Sequence, residues 1–139
     1  MIDVLLAFHL LGLMMGAGGG FASMITMRIA ATRPPEHVAV LRTLGSPFAK
    51  FSAAGLVLMW VTGVALVFAK YGGFSALPGL FWVKMVFVLS LTLAAIVLQL
   101  TYGEIKRGNA AVASRLPKLG PLAGLSSILA VLFAVLAFH

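Results

Sequence analysis

The sequence contains no cysteine. That excludes disulfides, zinc–thiolate centres, iron–sulfur clusters and thiol nucleophiles in one step. Acidic residues are nearly as scarce, with three Asp and Glu together against ten Lys and Arg. Paired carboxylates for acid–base chemistry are absent, as are a nucleophile–base set and a phosphate-binding glycine loop. Hydrolase and phosphotransferase chemistry therefore have no support. Charge of any sign is low, at 9% of residues, where ~25% is usual for a soluble domain. What fills the space is hydrocarbon. Hydrophobic residues make up 62% of the 139, and the mean hydropathy is +1.13. A core inside so short a chain cannot bury that much apolar side chain, so lipid must solvate much of it.

Crossing ~30 Å of hydrocarbon takes ~20 apolar residues. Four stretches meet that length, at about 4–29, 47–69, 79–105 and 120–138. The expected fold is all-α, an integral membrane four-helix bundle in a single transmembrane domain. The loops left over are too short for a soluble domain. Ser46-Pro47 is the expected start of the second helix, as N-cap and first-turn proline. Gly120-Pro121 is the expected start of the fourth. Between Thr32 and Leu44 the segment Glu36-His37-Val38-Ala39-Val40-Leu41-Arg42 follows two prolines. It reads as a short amphipathic piece at the interface, and Ala110 to Arg115 reads as another.

The net charge of +7 would suggest nucleic acid in a soluble protein. Here it reads as topology, with no nucleic-acid partner. Arg28, Arg33, Arg42 and Lys50 flank the first loop, and Lys106, Arg107, Arg115 and Lys118 the third, which makes eight of the ten basic residues. The positive-inside rule puts both loops in the cytoplasm and both termini on the non-cytoplasmic side. The expected location is the inner (cytoplasmic) membrane, crossed several times. The start, Met1-Ile2-Asp3, lacks the basic region of a signal peptide, so the first span reads as retained.

Lipid supplies no hydrophobic push between helices, so small residues mark close packing. Gly12, Gly16 and Gly20 recur every fourth residue on one face of the first span. Gly120, Gly124 and Ser127 are spaced similarly in the fourth, and Gly55 and Gly63 punctuate the second. The bland reading is helix contact, and the functional one is room for a flat cofactor beside the glycines.

Ionisable groups inside a bilayer are costly and default to function. Only His9 and Lys84 qualify. Counted from the outer ends of the first and third spans, they lie roughly 8 and 6 Å deep. The two spans run in the same direction, so one site can include both. Neutral imidazole is a common haem and metal ligand, which makes His9 the candidate metal ligand; the alternative is a hydrogen bond to a neighbouring helix. Lys84 equally suits snorkelling toward an interface where Phe81 and Trp82 form an aromatic belt. No second histidine falls within a span, so a bis-histidine haem is not available there. His37 falls in a basic loop, and His139 is expected at the outer surface. Of the seven methionines, Met24 and Met27 share a face, and Met59 and Met85 neighbour Trp60 and Lys84. Apolar packing is the simplest account of them. Glu104 is expected to pair with Lys106, Arg107 or a loop arginine.

Three segments, taken in order, suggest a family. Ala7-Phe8-His9-Leu10-Leu11-Gly12 resembles the start of HemJ-type protoporphyrinogen oxidases and of copper-resistance CopD-like domains. Leu58-Met59-Trp60-Val61-Thr62-Gly63 resembles their second span, and Phe81-Trp82-Val83-Lys84-Met85-Val86 the start of their third. The resemblance implies a four-helix membrane bundle that binds haem b. His9 would be the iron ligand, and Lys84 a ligand, a partner for a porphyrin carboxylate, or a catalytic residue. Gly12, Gly16, Trp60 and Gly63 would complete the cofactor site. The function so implied is a haem- or porphyrin-binding membrane protein with a redox role, a HemJ-like oxidoreductase meeting a quinone or other redox partner. Two other readings stay open. One is a cofactor-free accessory subunit of a larger membrane complex or a homo-oligomer. The other is a copper-handling protein.

Overall fold

The computed structural model describes residues 1–138, with side chains through 137. The terminal His139, expected at the outer surface, lies outside the described residues. Four long helices carry the chain: α1 (Ile2–Ala31), α2 (Pro35–Tyr71), α3 (Gly79–Lys106) and α4 (Leu116–Phe138). Short 3-10 helices at Phe74–Ala76 and Ala110–Arg115 fill the second and third connections. Each long helix, α4 together with the turn before it, is long and apolar enough to cross a membrane. The protein is an all-α, multi-pass membrane bundle.

Two helix starts differ from the sequence reading. α2 begins at Pro35, with Pro34 as its extended N-cap residue, and runs unbroken through Pro47. The first-turn proline is therefore Pro35, where a missing N–H costs nothing. The segment expected as a separate interfacial piece is the first three turns of α2. His37 lies there, exposed, on helix instead of loop. Inside α2, Pro47 removes one backbone donor, a loss that long membrane helices tolerate through neighbouring side chains and water. Likewise α4 starts at Leu116, and Pro121 is an internal residue. The turn at 110–115 falls where the sequence placed its second interfacial piece. α2 ends at Gly72, whose φ of 70° lies in the left-handed region that glycine enters without strain.

In the bundle each helix touches its two sequence neighbours, and α4 closes back on α1. The intimate pairs are α1 with α2 and α3 with α4, and the two hairpins face each other more loosely. Glycine explains the first pair. A Cβ added at Gly55 would lie 2.5 Å from Gly16 N and 2.6 Å from Gly12 O. One at Gly12 would lie 2.8 Å from Gly55 O, and one at Gly19 2.8 Å from Phe48 O. Backbone meets backbone here, and only glycine allows it. The contact stripe is Gly12 and Gly16 against Gly55, continued by Gly19 against Phe48 and Ser52. Gly20 touches only the Ser52 hydroxyl, at 3.8 Å. The similar spacing in α4 does not make such a stripe. A Cβ at Gly124 meets nothing within 4 Å, and one at Gly120 meets only Met24 at 3.8 Å.

Polar side chains tie the helices where hydrocarbon cannot. Ser52 Oγ donates to Gly16 O at 2.6 Å, Gln99 Nε2 to Ala49 O at 2.8 Å, and Ser90 meets Ser126 at 3.1 Å. The one ion pair among the described residues, Arg107 to Glu104 at 3.1 Å, lies at the basic end. It matches the pairing expected for Glu104.

Candidate functional site

The loose seam between the hairpins encloses a cavity of about 640 Å³, within the ~300–1,000 Å³ typical of cofactor and small-molecule sites. It extends along the bundle, from Lys70 and Tyr71 at one end to Arg28 and Tyr102 at the other. The lining is mostly apolar. Its cations are Arg28, Lys70 and Lys84, and no Asp or Glu joins them.

His9 is half-buried and lines this cavity. Its Nδ1 lies 2.9 Å from Thr62 Oγ1 on α2. The Thr62 hydroxyl has one proton and spends it on Leu58 O, 2.6 Å away in its own helix. Thr62 must therefore accept, and His9 Nδ1 must carry the proton. The Met59 carbonyl is a further acceptor beside the ring. The imidazole is thus held as its Nδ1–H tautomer, which leaves Nε2 with its lone pair. This is the arrangement of a ligating histidine, whose second nitrogen donates to a fixed oxygen. Gly63 stands against the same edge of the ring, where an added Cβ would lie 3.2 Å from His9 Cε1 and 3.7 Å from Nδ1. A side chain at 63 would press the ring out of place.

Lys84 lines the same cavity, half-buried, close enough for its charge to act at His9. Its Nζ sits 4.6 Å from the centroid of the Phe81 ring, one turn earlier. The two ionisable residues singled out from the sequence are therefore brought together. Trp60 also lines the cavity, and its Nε1 donates to Thr92 Oγ1 at 3.1 Å. Thr92 in turn donates to Val88 O at 2.7 Å. The device is the one used at His9: a threonine back-bonded to its own helix accepts a ring N–H from its neighbour.

Of the other expected site residues, Gly16 and Gly63 line the cavity and Gly12 does not. Gly12 faces Gly55 and Met59 and serves the α1–α2 contact. Met24, Met27, Met59 and Met85 all reach the lining. Among the described residues there is no group of three or more His, Asp or Glu side chains that could hold a metal ion.

The sequence reading missed Thr62, whose value appears only once its hydroxyl is placed beside His9. Nor does the sequence give a role to Ser23 or Tyr102. Both are buried, at 6% and 5% exposure, with their hydroxyls 3.3 Å apart. A hydroxyl at the end of a predicted span carries no signal for a partner two helices away.

The chain matches no protein-family model, no curated protein and no solved structure.

Proposed function

We propose that this chain is an integral membrane haem- or porphyrin-binding protein with a redox role, similar in kind to the HemJ-type oxidases. The observation that carries the reading is the His9 tautomer, with Nδ1–H fixed on Thr62 and Nε2 left to a ligand in an apolar cavity. The residues present fit such a group. The cavity is large enough for a flat macrocycle, its walls are hydrocarbon and glycine, and Lys84 supplies a cation for an acidic substituent. His9 would hold the iron, and Gly63 gives the ring its room. Trp60 and Met59 would pack against the macrocycle. A bound haem b would supply a one-electron couple, with the protein contributing orientation and a dry setting. Lys84 would orient the ligand through a carboxylate, which matters more in a low-dielectric interior than in water.

The test is an absorption spectrum of the detergent-purified protein, oxidised and dithionite-reduced, with a pyridine haemochrome assay. The expected result is a Soret band and sharp reduced α and β bands, both lost in His9→Ala. Full haem content in His9→Ala would overturn the assignment. A colourless protein from haem-sufficient cells, co-purifying in fixed ratio with a partner, would favour an accessory subunit instead. Porphyrinogen oxidation and quinone reduction are the activities to assay once haem is bound.

A further inference from the structure

The cavity is far longer than a macrocycle held at His9 requires. Ser23 lies fourteen residues further along α1, about 21 Å along the helix axis, and it lines the same space. At that level Ser23 and Tyr102 form the one described side-chain hydrogen bond across the diagonal of the bundle, from α1 to α3, at 3.3 Å. Both residues are more than nine-tenths buried. Two hydroxyls bring two protons, and their mutual bond uses one. The other has no acceptor among the described residues. Each oxygen already has the other as its partner, and the spare proton is free to donate to a ligand oxygen. Tyr102 reaches this position because residue 45 is glycine. A Cβ there would lie 2.5 Å from the Tyr102 hydroxyl.

Arg28, an exposed residue, reaches the same end of the lining and forms no ion pair among the described residues. No acidic side chain lines the cavity to compete for an anion. Met27, Leu98 and Leu116 pack in one apolar cluster with Tyr102, and further along the cavity the walls are hydrocarbon and glycine, with Met24 and Gly120. Gly124 also lines this stretch, and a Cβ there meets nothing within 4 Å. The pattern is a donor-and-cation head site continuous with an apolar tail channel.

We infer that the basic end of the cavity is a second binding site, for an amphiphile with an anionic oxyacid head and a hydrocarbon tail. Ser23, Tyr102 and Arg28 hold the head, and the tail lies between the hairpins. The chemistry is shared by a free fatty acid and by the phosphate of an anionic phospholipid. It is separate from the macrocycle site, and neither depends on the other. The net positive charge at this end, also the source of the topology signal, raises the local concentration of such anions.

The experiment uses the full chain in nanodiscs of phosphatidylcholine, with radiolabelled oleate as probe. Saturable binding of one oleate per chain is expected. Arg28→Gln weakens it at least tenfold and Arg28→Lys largely restores it. Ser23→Ala with Tyr102→Phe weakens it several-fold. Gly124→Leu, which fills open space without displacing backbone, removes it while helix content stays unchanged by circular dichroism. His9→Ala leaves it intact, so loss of haem and loss of oleate are separate results. Displacement of oleate by equimolar phosphatidylglycerol identifies a phospholipid site, and resistance to it identifies a fatty-acid site. Two results overturn the inference. One is non-saturable uptake that ignores Arg28→Gln. The other is a neutral quinone analogue that displaces oleate and binds Arg28→Gln as well as it binds the unaltered protein.

Discussion

His9 donates from Nδ1 to the Thr62 hydroxyl, 2.9 Å away, because that hydroxyl has given its own proton to Leu58 O at 2.6 Å. One backbone carbonyl of α2 thus sets which nitrogen of an α1 histidine is left to bind a ligand. Removing the hydroxyl while keeping the shape separates orientation from packing. On the haem reading proposed above, Thr62→Val should lower haem affinity by about 10–100-fold, the usual cost of losing an outer-shell partner of a ligating histidine. Thr62→Ser, which keeps the hydroxyl, should retain most of it. Haemin titration followed at the Soret band checks both. Equal affinity in Thr62→Val would mean that the Thr62 hydroxyl does not orient the ligating ring.

Lys84 gives a test of ligand charge. If its ammonium pairs with a propionate, the protein should bind protoporphyrin more tightly than its dimethyl ester, which has the same ring and no acid. Lys84→Met should abolish that preference without abolishing ester binding. Fluorescence titration of the two porphyrins measures the ratio. A preference that survives Lys84→Met would assign the lysine to snorkelling, its competing role.

The glycines divide into two kinds with opposite responses. At Gly55 a methyl group meets the α1 backbone at 2.5 Å, and backbone cannot move aside as a flexible side chain does. Gly55→Ala should destabilise the α1–α2 hairpin by about 1–3 kcal/mol, the usual cost of overpacking. At Gly124, which meets nothing within 4 Å, Gly124→Ala should be neutral or stabilising by up to about 1 kcal/mol through helix propensity. Thermal unfolding in detergent, read as a change in Tm, distinguishes them. A lower Tm for Gly124→Ala than for Gly55→Ala would contradict the packing described above.

The absence of native cysteine makes topology directly measurable. Ser75 in the turn between α2 and α3, and Ser114 in the turn before α4, are both exposed. The distribution of basic residues predicts that Ser114→Cys is labelled by a membrane-impermeant maleimide only after the cells are opened. Ser75→Cys should be labelled from the opposite side, in sealed preparations that expose the non-cytoplasmic face. The reverse pattern would invert the orientation expected from the positive-inside rule.

Much of the architecture was legible because lipid imposes strong rules on sequence. Four long apolar runs had to become helices, since each must satisfy its own backbone hydrogen bonds. Helix starts were less legible. Pro47 and Pro121 looked like first-turn prolines, yet both lie inside helices whose true starts are Pro35 and Leu116. A proline marks a place where one hydrogen bond is missing, and a long helix can carry such a place internally. The glycine spacing named the right face of α1 at Gly12 and Gly16. The same spacing in α4 did not lead to close contact, because spacing records what a helix could approach and not what stands opposite.

The sequence by itself determined the solvent, the helix count, the charge asymmetry and the pair His9 and Lys84. Each of these follows from residue type and one-dimensional spacing, and His9 and Lys84 were conspicuous because lipid makes ionisable groups rare. Only the tertiary structure decided that the hairpins stand apart around a cavity of about 640 Å³, which nitrogen of His9 is committed, and that Ser23 meets Tyr102 across the bundle. Those facts depend on which faces of separate helices meet. In a chain whose helices are apolar on every side, no hydrophobic stripe announces the facing, and short polar contacts and glycine-sized clearances set it instead.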